Sequence, residues 1–438
     1  MAASSLSQAA VGPALRVGLL FDGGGLGYGV FVVTRSLLRT LDRALVQPVG
    51  LFLGTGPERD VLGPLCDELC DLGCGCVLPL SQAGHSKWYL PNLVRKGWML
   101  VRSIVAAGRA IRRLRLEVLH VHAFPLHLIA GLACWLARVP CIWHWHGSFG
   151  KRGASGLAAR LGFRFLADRV VCISRHVFET LPRVARGKAV VVYNGVDVQG
   201  IGSGQRRGKL RSLAGARPGE LLVGIFGSLT PYKGHENFLH AAAAMLGKGY
   251  DVRFVVVGGE NEVLRHRFGR ERSLRALAAQ LGIADRVAFL GEVEDADLLV
   301  GDCDVVCVTT YPRDGCLGEG FGLVTAEAAA AGVPVVGTNC GATPELIEDG
   351  VTGLLVPPQD TPALARAVES LLRDSDRRKA MGEAARRRVL DRFDVSRMVR
   401  QMEQVYAAVG GRSAGAHVAA GRCVSDSRDA RCCAEEEP

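Results

Sequence analysis

The sequence predicts an α/β protein in which two Rossmann-like domains follow one another along the chain. Short runs rich in Val, Ile and Leu alternate with segments of helical composition, a pattern typical of parallel sheets covered by helices on both faces. The chain has 438 residues, more than a single hydrophobic core usually serves. A stretch at 199–219 that is rich in Gly, Arg and Ser separates two series of β-rich runs and is interpreted as a linker or exposed loop.

Seven strands are predicted before this break and six after it. The first series is expected at 16–21, 49–54, 76–80, 118–122, 141–146, 170–173 and 189–193. The second series is expected at 222–226, 253–257, 287–290, 305–309, 334–337 and 354–356. We place the domains at 15–200 and 218–393, followed by a helix at 395–408 and a disordered tail at 410–438. Because ligands of such sheets bind at the carboxyl ends of the strands, the expected site is a cleft between the two sheets.

The net charge of +10 is concentrated in the first half of the chain. Residues 1–200 contain 23 Lys and Arg against 11 Asp and Glu, which leaves 30 against 32 for the rest. Within 94–115, basic residues alternate with apolar ones, which fits either a basic amphipathic helix on an anionic membrane surface or the solvated face of an ordinary helix. No aromatic platform or groove-reading motif accompanies this charge, so nucleic acid is not an expected partner.

Hydropathy and cysteine usage both favour a cytoplasmic protein. No apolar run reaches the ~18 residues of a membrane span, and the first fifteen residues lack the pattern of a signal peptide. Peripheral contact with the cytoplasmic face of the membrane is expected if 94–115 is a membrane-surface helix. Most of the 14 cysteines are scattered through predicted core strands, as in a reducing compartment. Cys66 and Cys70 fall on a predicted helix and do not follow a zinc-binding spacing.

Residues 318–356 contain the most informative functional pattern. Glu319 and Glu327 lie eight positions apart, on either side of a glycine-containing loop and the start of an Ala-rich helix; the loop and helix start are Gly320, Phe321, Gly322 and Leu323. Glycines let the backbone approach a ligand, and the N–H groups at a helix start favour an anion. We therefore expect an anion site between two carboxylates that hold hydroxyl groups, as a nucleotide-sugar would require.

This segment resembles the nucleotide-sugar site of the retaining glycosyltransferases of family 4, which have the two-domain GT-B fold and carry a motif of Glu, seven residues and Glu. Three further segments resemble the family in the same order. They are CIWHWHG at 141–147, which ends in the acceptor-side histidine, VVVYNGVD at 190–197, which enters the hinge, and LVGIFGSLTPYKG at 222–234, which carries the lysine of the donor diphosphate site. The resemblance extends over about residues 15 to 410. It implies that the domain at 15–200 binds the acceptor, that the domain at 218–393 binds the nucleotide-sugar, and that the helix at 395–408 returns to the first domain.

The resemblance implies a retaining transfer of a hexose from a UDP- or GDP-sugar to a glycan or lipid-linked acceptor, in polysaccharide or glycolipid biosynthesis. Lys233 is expected to hold the diphosphate, Glu319 the transferred sugar and Glu327 the ribose hydroxyl groups. The expected catalytic residues are His146, Lys233 and Glu319. The expected donor-binding residues are Gly24, Gly25, Ser228, Lys233, Gly320, Phe321, Gly322, Leu323 and Glu327.

One residue departs from the family pattern. Members often place an arginine five residues before the lysine, where this chain has Ser228. A serine donates a hydrogen bond but carries no charge, so more of the phosphate binding falls to the loop amides near Phe321 and Gly322. Two alternative functions therefore remain beside transfer: a non-transferring GT-B enzyme such as a nucleotide-sugar epimerase, and an inactive nucleotide-sugar-binding protein. His122 and His144 fit either a position lining the cleft or a structural role.

No metal or other cofactor is expected. Asp302 and Asp304 form a DxD pattern, which holds a divalent metal in the other main glycosyltransferase fold. Here the pattern precedes a predicted strand, where the resemblance implies a capping role. The glycines of 22–29 do not form GxGxxG, and the second predicted strand does not end in an acidic residue, so a dinucleotide enzyme is not expected.

Overall fold

The computed structural model describes residues 13–22, 28–75, 89–124, 126–150, 153–203, 208–260, 269–313 and 315–411. Its core consists of two parallel sheets, one of seven strands and one of six. The predicted α/β class with two Rossmann-like sheets is therefore confirmed.

The first sheet is formed by the first half of the chain. Its strands are β1 (Leu15–Phe21), β2 (Val46–Phe52), β3 (Glu68–Asp71), β4 (Val118–Val121), β5 (Cys141–Trp145), β6 (Arg169–Cys172) and β7 (Ala189–Val191), in the spatial order β3-β2-β1-β4-β5-β6-β7. Every residue of β4 and β5 is buried, because helices cover both faces of a parallel sheet.

Two helical layers cover this first sheet. The helices of this half are α1 (Tyr28–Thr40), α2 (Pro57–Leu62), α3 (Tyr89–Arg113), α4 (Leu126–Ala137), α5 (Gly153–Phe165), α6 (Arg175–Thr180) and α7 (Arg183–Arg186). Helices α3, α4 and α5 share one hydrophobic cluster on one face. On the other face, α1 packs with a helix from the end of the chain through Met402 and Tyr406.

The second sheet is formed by β8 (Leu221–Phe226), β9 (Val252–Val257), β10 (Val287–Gly291), β11 (Val305–Val308), β12 (Val335–Thr338) and β13 (Gly353–Val356), in the order β10-β9-β8-β11-β12-β13. The remaining helices are α8 (Val198–Gly202), α9 (Lys209–Leu213), α10 (His235–Leu246), α11 (Arg270–Gln280), α12 (Ala296–Leu299), α13 (Leu323–Ala330), α14 (Thr343–Leu346), α15 (Thr361–Arg373), α16 (Ser375–Arg392) and α17 (Val395–Val409). Short 3₁₀ turns lie at Gly63–Leu65, Pro231–Lys233, Ala284–Arg286 and Val300–Asp302.

The prediction of a helix at Cys66 and Cys70 was wrong. Strand β3 lies at Glu68–Asp71, inside the segment predicted as a helix, so Cys70 is a strand residue and Cys66 follows a 3₁₀ turn. The predicted strand 76–80 lies outside the described residues. Within the described part of the sheet β3 lies at the edge and pairs with β2. It buries a single residue, Cys70, so it lacks the apolar run that marks the central strands.

The interpretation of 199–219 as a linker or exposed loop was wrong in part. This region contains α9, whose Leu210 is fully buried, and it overlaps α8. The predicted tail 410–438 lies almost entirely outside the described residues. In the described part of the chain, no helix is both long and apolar enough to cross a bilayer.

The two halves contact each other beside the Glu319 to Glu327 segment. The ring of Phe393 lies 5.3 Å from that of Tyr193 and 5.7 Å from that of Phe321, so residues from both halves form one aromatic cluster. The Glu345 carboxylate accepts hydrogen bonds from the Tyr193 hydroxyl at 2.7 Å and from the backbone N–H of His176 at 2.7 Å. These contacts fix the second half against the start of α6 in the first.

Candidate active site

The loop before α13 lies directly against the carboxyl end of β5. A Cβ atom added to Gly320 would lie only 2.7 Å from the backbone oxygen of His146, so this approach requires glycine. The Ser174 hydroxyl, which also caps α6, donates a hydrogen bond to the Gly320 oxygen at 2.5 Å. The structure therefore brings the predicted histidine and the predicted donor loop together across the cleft.

An ion pair joins two of the predicted site residues. The Lys233 ammonium donates to Glu319 Oε1 at 2.6 Å, and the Thr310 hydroxyl donates to the same oxygen at 2.5 Å. Burial alone would raise the pKa of Glu319, but Lys233 and Thr310 outweigh it and hold the pKa below its ordinary value. Burial likewise opposes the charge on Lys233, and Glu319 outweighs it, so the pKa of the lysine is raised. Both groups are therefore charged at neutral pH.

Two consecutive threonines after β11 position this pair, and the sequence analysis missed both. Thr309 donates from its hydroxyl to the backbone oxygen of Lys233 at 2.7 Å, while Thr310 binds the Glu319 carboxylate. Gly234 adopts a φ of +73°, and a Cβ atom there would lie 2.2 Å from the Thr309 oxygen. The lysine turn is thus packed against the strand end. The sequence does carry a signal for these site residues, namely two consecutive hydroxyl side chains at the carboxyl end of a central strand.

Helix α13 begins without a side-chain cap. Its N-cap residue is Gly322, with a φ of +96°, and no side chain accepts a hydrogen bond from the first turn. The preceding Phe321 is buried at 2% exposure in the aromatic cluster, which anchors the loop. Leu323 lies close to the start of α1, since a Cβ atom on Gly29 would be 3.3 Å from its side chain. The N–H groups of this turn are therefore held in place to receive an anion.

Glu327 lies on the second turn of α13 and is 8% exposed. Burial, with a further contribution from the negative charge of Asp297, raises its pKa to about 8. In contrast to Glu319, this carboxyl is therefore largely protonated at neutral pH in the ligand-free protein. The two glutamates of the motif lie in electrostatically opposite surroundings.

The remaining predicted donor residues are less informative. Ser228 follows β8 and is exposed, and its backbone oxygen accepts a hydrogen bond from Thr230 N at 2.8 Å. Gly24 and Gly25 lie outside the described residues.

The predicted acceptor-side histidine belongs to a cluster of four imidazoles. His146 Nε2 lies 3.0 Å from His122 Nδ1, and His144 Nδ1 lies 3.1 Å from His120 Nε2. Burial lowers the pKa of all four rings, that of His122 to about 3, so they are neutral. His120, His122 and His144 are buried, whereas His146 is partly exposed. His146 therefore reaches the cleft, and His122 supports it from below.

The DxD pattern serves the fold. The Asp302 carboxylate accepts hydrogen bonds from Gly208 N at 2.7 Å and Leu210 N at 2.8 Å, at the start of α9. Asp304 accepts one from Leu222 N at 2.8 Å and pairs with Arg211 at 3.3 Å. The Asp302 carboxylate thus binds backbone N–H groups, and the Asp304 carboxylate binds a backbone N–H group and an arginine.

Two parallel Rossmann-like sheets that face each other across a cleft constitute the GT-B arrangement. Two family models match consecutive parts of the chain: Glycosyltransferase Family 4 at residues 28–199 and Glycosyl transferases group 1 at residues 207–388. The chain belongs to this family of group 1 glycosyltransferases.

Curated relatives match parts of the chain. The D-inositol 3-phosphate glycosyltransferase of Mycobacterium marinum is 36% identical over 187 residues, which are 42% of this chain and 37% of that protein. The N-acetyl-alpha-D-glucosaminyl L-malate synthase of Bacillus anthracis is 29% identical over 304 residues, which are 67% of this chain and 75% of that protein. The match to the first of these relatives thus spans less than half of its length.

Solved structures resemble the whole fold. A glycosyltransferase from Rickettsia africae superposes with a TM-score of 0.75 at 17% identity, covering 91% of this chain and 100% of that one. Anabaena Alr3699/HepE in complex with UDP-glucose superposes with a TM-score of 0.71 at 22% identity, covering 90% and 100%. At these identities the similarity shows the fold alone.

Proposed function

We propose that the protein is a retaining hexosyltransferase that moves a hexose from a UDP- or GDP-sugar to a glycan or lipid-linked acceptor. The observation that carries this proposal is the Lys233–Glu319 ion pair beside the uncapped start of α13. It places a cation, a carboxylate and free N–H groups within one cleft. A relative named as a glycosyltransferase supports sugar transfer, and a structural neighbour in complex with UDP-glucose supports a nucleotide-sugar donor.

The ion pair separates when the donor binds. The Lys233 ammonium turns from Glu319 to the diphosphate, where it offsets the charge that develops on the departing nucleotide. Glu319 remains bound to Thr310 and accepts hydrogen bonds from hydroxyl groups of the hexose. The N–H groups at the start of α13 bind phosphate oxygens. They take over part of the phosphate binding that the uncharged Ser228 cannot provide. Glu327 binds the ribose hydroxyl groups.

Transfer proceeds with retention and by attack on the face from which the diphosphate leaves. Glu319 stays bound to Thr310 and takes the hexose hydroxyl groups as its partners, so the proposed mechanism assigns no carboxylate as a nucleophile at the anomeric carbon. The acceptor oxygen forms a bond to the anomeric carbon, the bond from that carbon to the phosphate oxygen breaks, and the acceptor proton moves to the phosphate. His146, neutral and at the cleft, hydrogen-bonds the hexose or the acceptor.

This mechanism uses no divalent ion at the diphosphate. Omitting Mg²⁺ and Mn²⁺ from the assay is therefore expected to leave turnover unchanged, and NMR of the product is expected to show the anomeric configuration of the donor. A strict requirement for added Mg²⁺ or Mn²⁺, or an inverted product, would contradict the proposed chemistry.

The proposed enzyme works at the cytoplasmic face of the membrane, in contact with it through 94–115, where a lipid-linked acceptor would lie. Within the described part of this segment, Trp98 is 67% exposed, and Arg102, Arg109 and Arg112 are also exposed. The neighbouring helices extend the surface, because Trp135 of α4 and Phe165 of α5 are exposed by 67% and 65%. Exposed aromatic rings among arginines suit an interface with anionic lipids. Ile111 packs in the core instead, so the apolar residues of α3 face two sides.

Replacing both Trp98 and Trp135 with Ser is expected to weaken binding to vesicles of phosphatidylcholine and phosphatidylglycerol by about tenfold or more, because two interfacial aromatic anchors are lost. Co-sedimentation measures the effect. Leu390→Ser is the matched control, since Leu390 is 49% exposed on α16, away from these helices. Unchanged binding of the double variant, or equal binding to purely zwitterionic vesicles, would refute the membrane contact.

Incubation with labelled UDP- and GDP-sugars separates the candidate functions. A transferase releases the nucleotide slowly by hydrolysis and faster when the acceptor is added. An epimerase changes the sugar without that dependence. A binding protein without activity, which the uncharged Ser228 would favour, retains the labelled donor intact.

A further inference from the structure

Three buried histidines form a group that the transfer reaction does not use. One ring nitrogen from each of His120, His122 and His144 lies within 4.8 Å of the other two. The three side chains are exposed by 0%, 3% and 1%. They come from the carboxyl ends of β4 and β5, where the spacings HVH and HWH place two rings of each strand on the same face of the sheet.

Two nitrogens of this triad have no hydrogen-bond partner among the residues that the structure describes. They are Nε2 of His122 and Nε2 of His144, and both are buried. A buried polar atom without a partner is destabilising, and most such atoms in folded proteins are satisfied by protein, water or an ion. The unpartnered His122 Nε2 is the one that can bind a ligand shared with the other two rings, because His144 faces His120 through its other nitrogen, Nδ1.

The other hydrogen bonds of the triad resemble the outer contacts of metal-binding histidines, which usually bind the metal through one nitrogen and a fixed partner through the other. His120 Nδ1 lies 2.8 Å from the Tyr406 hydroxyl, and His122 Nδ1 lies 3.0 Å from His146 Nε2. His122 Nε2 then remains for a ligand, whereas His120 Nε2 contacts His144 Nδ1, a contact that a bound ion would replace.

The spacing of the facing nitrogens fits a small ion. His120 Nε2 and His144 Nδ1 are 3.1 Å apart. An ion about 2.05 Å from each would subtend an angle of roughly 100°, close to the tetrahedral value. One nitrogen of His122 lies within 4.8 Å of the ligand nitrogens of the other two rings, so the His122 ring moves towards the ion when it binds.

We propose that His120, His122 and His144 bind a late first-row divalent metal ion, Zn²⁺ in the first instance. Three neutral imidazoles suit zinc and its neighbours rather than Mg²⁺ or Ca²⁺, which prefer oxygen ligands. Bound there, the ion links β4 to β5 and, through Tyr406, to α17. It lies beneath His146 and stabilises the floor of the cleft.

The full chain, purified without a polyhistidine tag, tests this proposal through metal content. Wild type is expected to retain about one zinc per chain after passage over a chelating column, as a three-histidine site should. His122→Gln and His144→Gln each remove one ligand and are expected to lose the zinc. His240→Gln is the matched control, because His240 is exposed on α10 in the second half, and it is expected to keep the zinc.

Cobalt substitution and thermal melting distinguish this site from adventitious binding by thiols. Co²⁺ added to the metal-depleted wild type is expected to give the visible bands of a tetrahedral nitrogen site without a thiolate charge-transfer band. The melting temperature is expected to rise with free Zn²⁺ in wild type and in His240→Gln, but not in His122→Gln if that variant retains the wild-type far-ultraviolet circular dichroism. Equal zinc content in wild type and a folded ligand variant, or a thiolate cobalt spectrum, would overturn the proposal. None of these readouts depends on sugar transfer.

Discussion

Replacing Lys233 with Ala is expected to lower turnover by about 10³-fold. Among the described residues, Lys233 supplies the single cation that contacts Glu319 beside the helix start, and Ser228 offers no second charge. Removing one preorganised group that stabilises developing charge typically lowers turnover by 10²- to 10³-fold. The loss is expected at the upper end here, because Ser228 replaces the arginine that often supplies a second cation in the family. Steady-state release of the nucleotide from the labelled donor, measured at saturating acceptor, gives the effect.

Two further variants separate lost catalysis from lost stability. Lys248→Ala removes another lysine in an ion pair, 2.7 Å from Glu369 on the same domain, and is expected to retain wild-type turnover. Lys233→Ala leaves the partly buried Glu319 carboxylate without its cation, which costs about 3 kcal/mol of stability. The double variant Lys233→Ala with Glu319→Gln should regain part of that stability and remain inactive. Near-normal turnover in Lys233→Ala would remove the lysine from its assigned role.

The free energy of unfolding is expected to decrease as the pH rises from about 5 to 8, owing to Glu327. Its pKa is about 8 in the folded protein against an ordinary value of 4.5. Between pH 4.5 and 8 the folded state binds more protons at Glu327 than the unfolded state does. The contribution of this group to the free energy of unfolding is therefore largest below pH 4.5 and decreases as the pH rises. Each unit of difference between the two pKa values corresponds to about 1.4 kcal/mol, so the free energy of unfolding decreases by at most about 5 kcal/mol.

Glu327→Gln, which resembles the protonated carboxyl, should remove most of that decline and be more stable than wild type at pH 8. Urea denaturation at several pH values measures it. Glu319→Gln serves as a control in which the pH dependence has the opposite direction. The pKa of Glu319 is lowered in the folded protein, so its contribution to the free energy of unfolding disappears as the pH falls below 4.5. Parallel pH profiles for wild type and Glu327→Gln would show that burial does not hold this carboxyl protonated.

The central strands were predictable because buried parallel strands are continuous apolar runs, as in β9, where nearly every position is apolar. Strand β3 was not predictable in this way. Four residues at a sheet edge, with only Cys70 buried, carry too few apolar positions to distinguish a strand from the helix that the flanking leucines suggested.

Local patterns indicated which residues form the site, but the fold determines how they pair. The glycines around Phe321 and the uncapped start of α13 follow from residue type and short spacing. The contact of Lys233 with Glu319 joins positions 86 apart, and that of His120 with Tyr406 joins positions 286 apart. No local pattern specifies such contacts. The opposite electrostatic surroundings of Glu319 and Glu327 likewise depend on which charges the fold places nearby.

Equilibrium binding of UDP and GDP, measured by titration calorimetry with wild type, Lys233→Ala and Lys248→Ala, tests the nucleotide-sugar site most directly. We expect one of the two nucleotides to bind wild type and Lys248→Ala alike, and to bind Lys233→Ala at least tenfold more weakly, a difference of about 1.4 kcal/mol or more. Binding that is equal in all three proteins, or binding of neither nucleotide to wild type, would contradict the assignment of this cleft as the donor site.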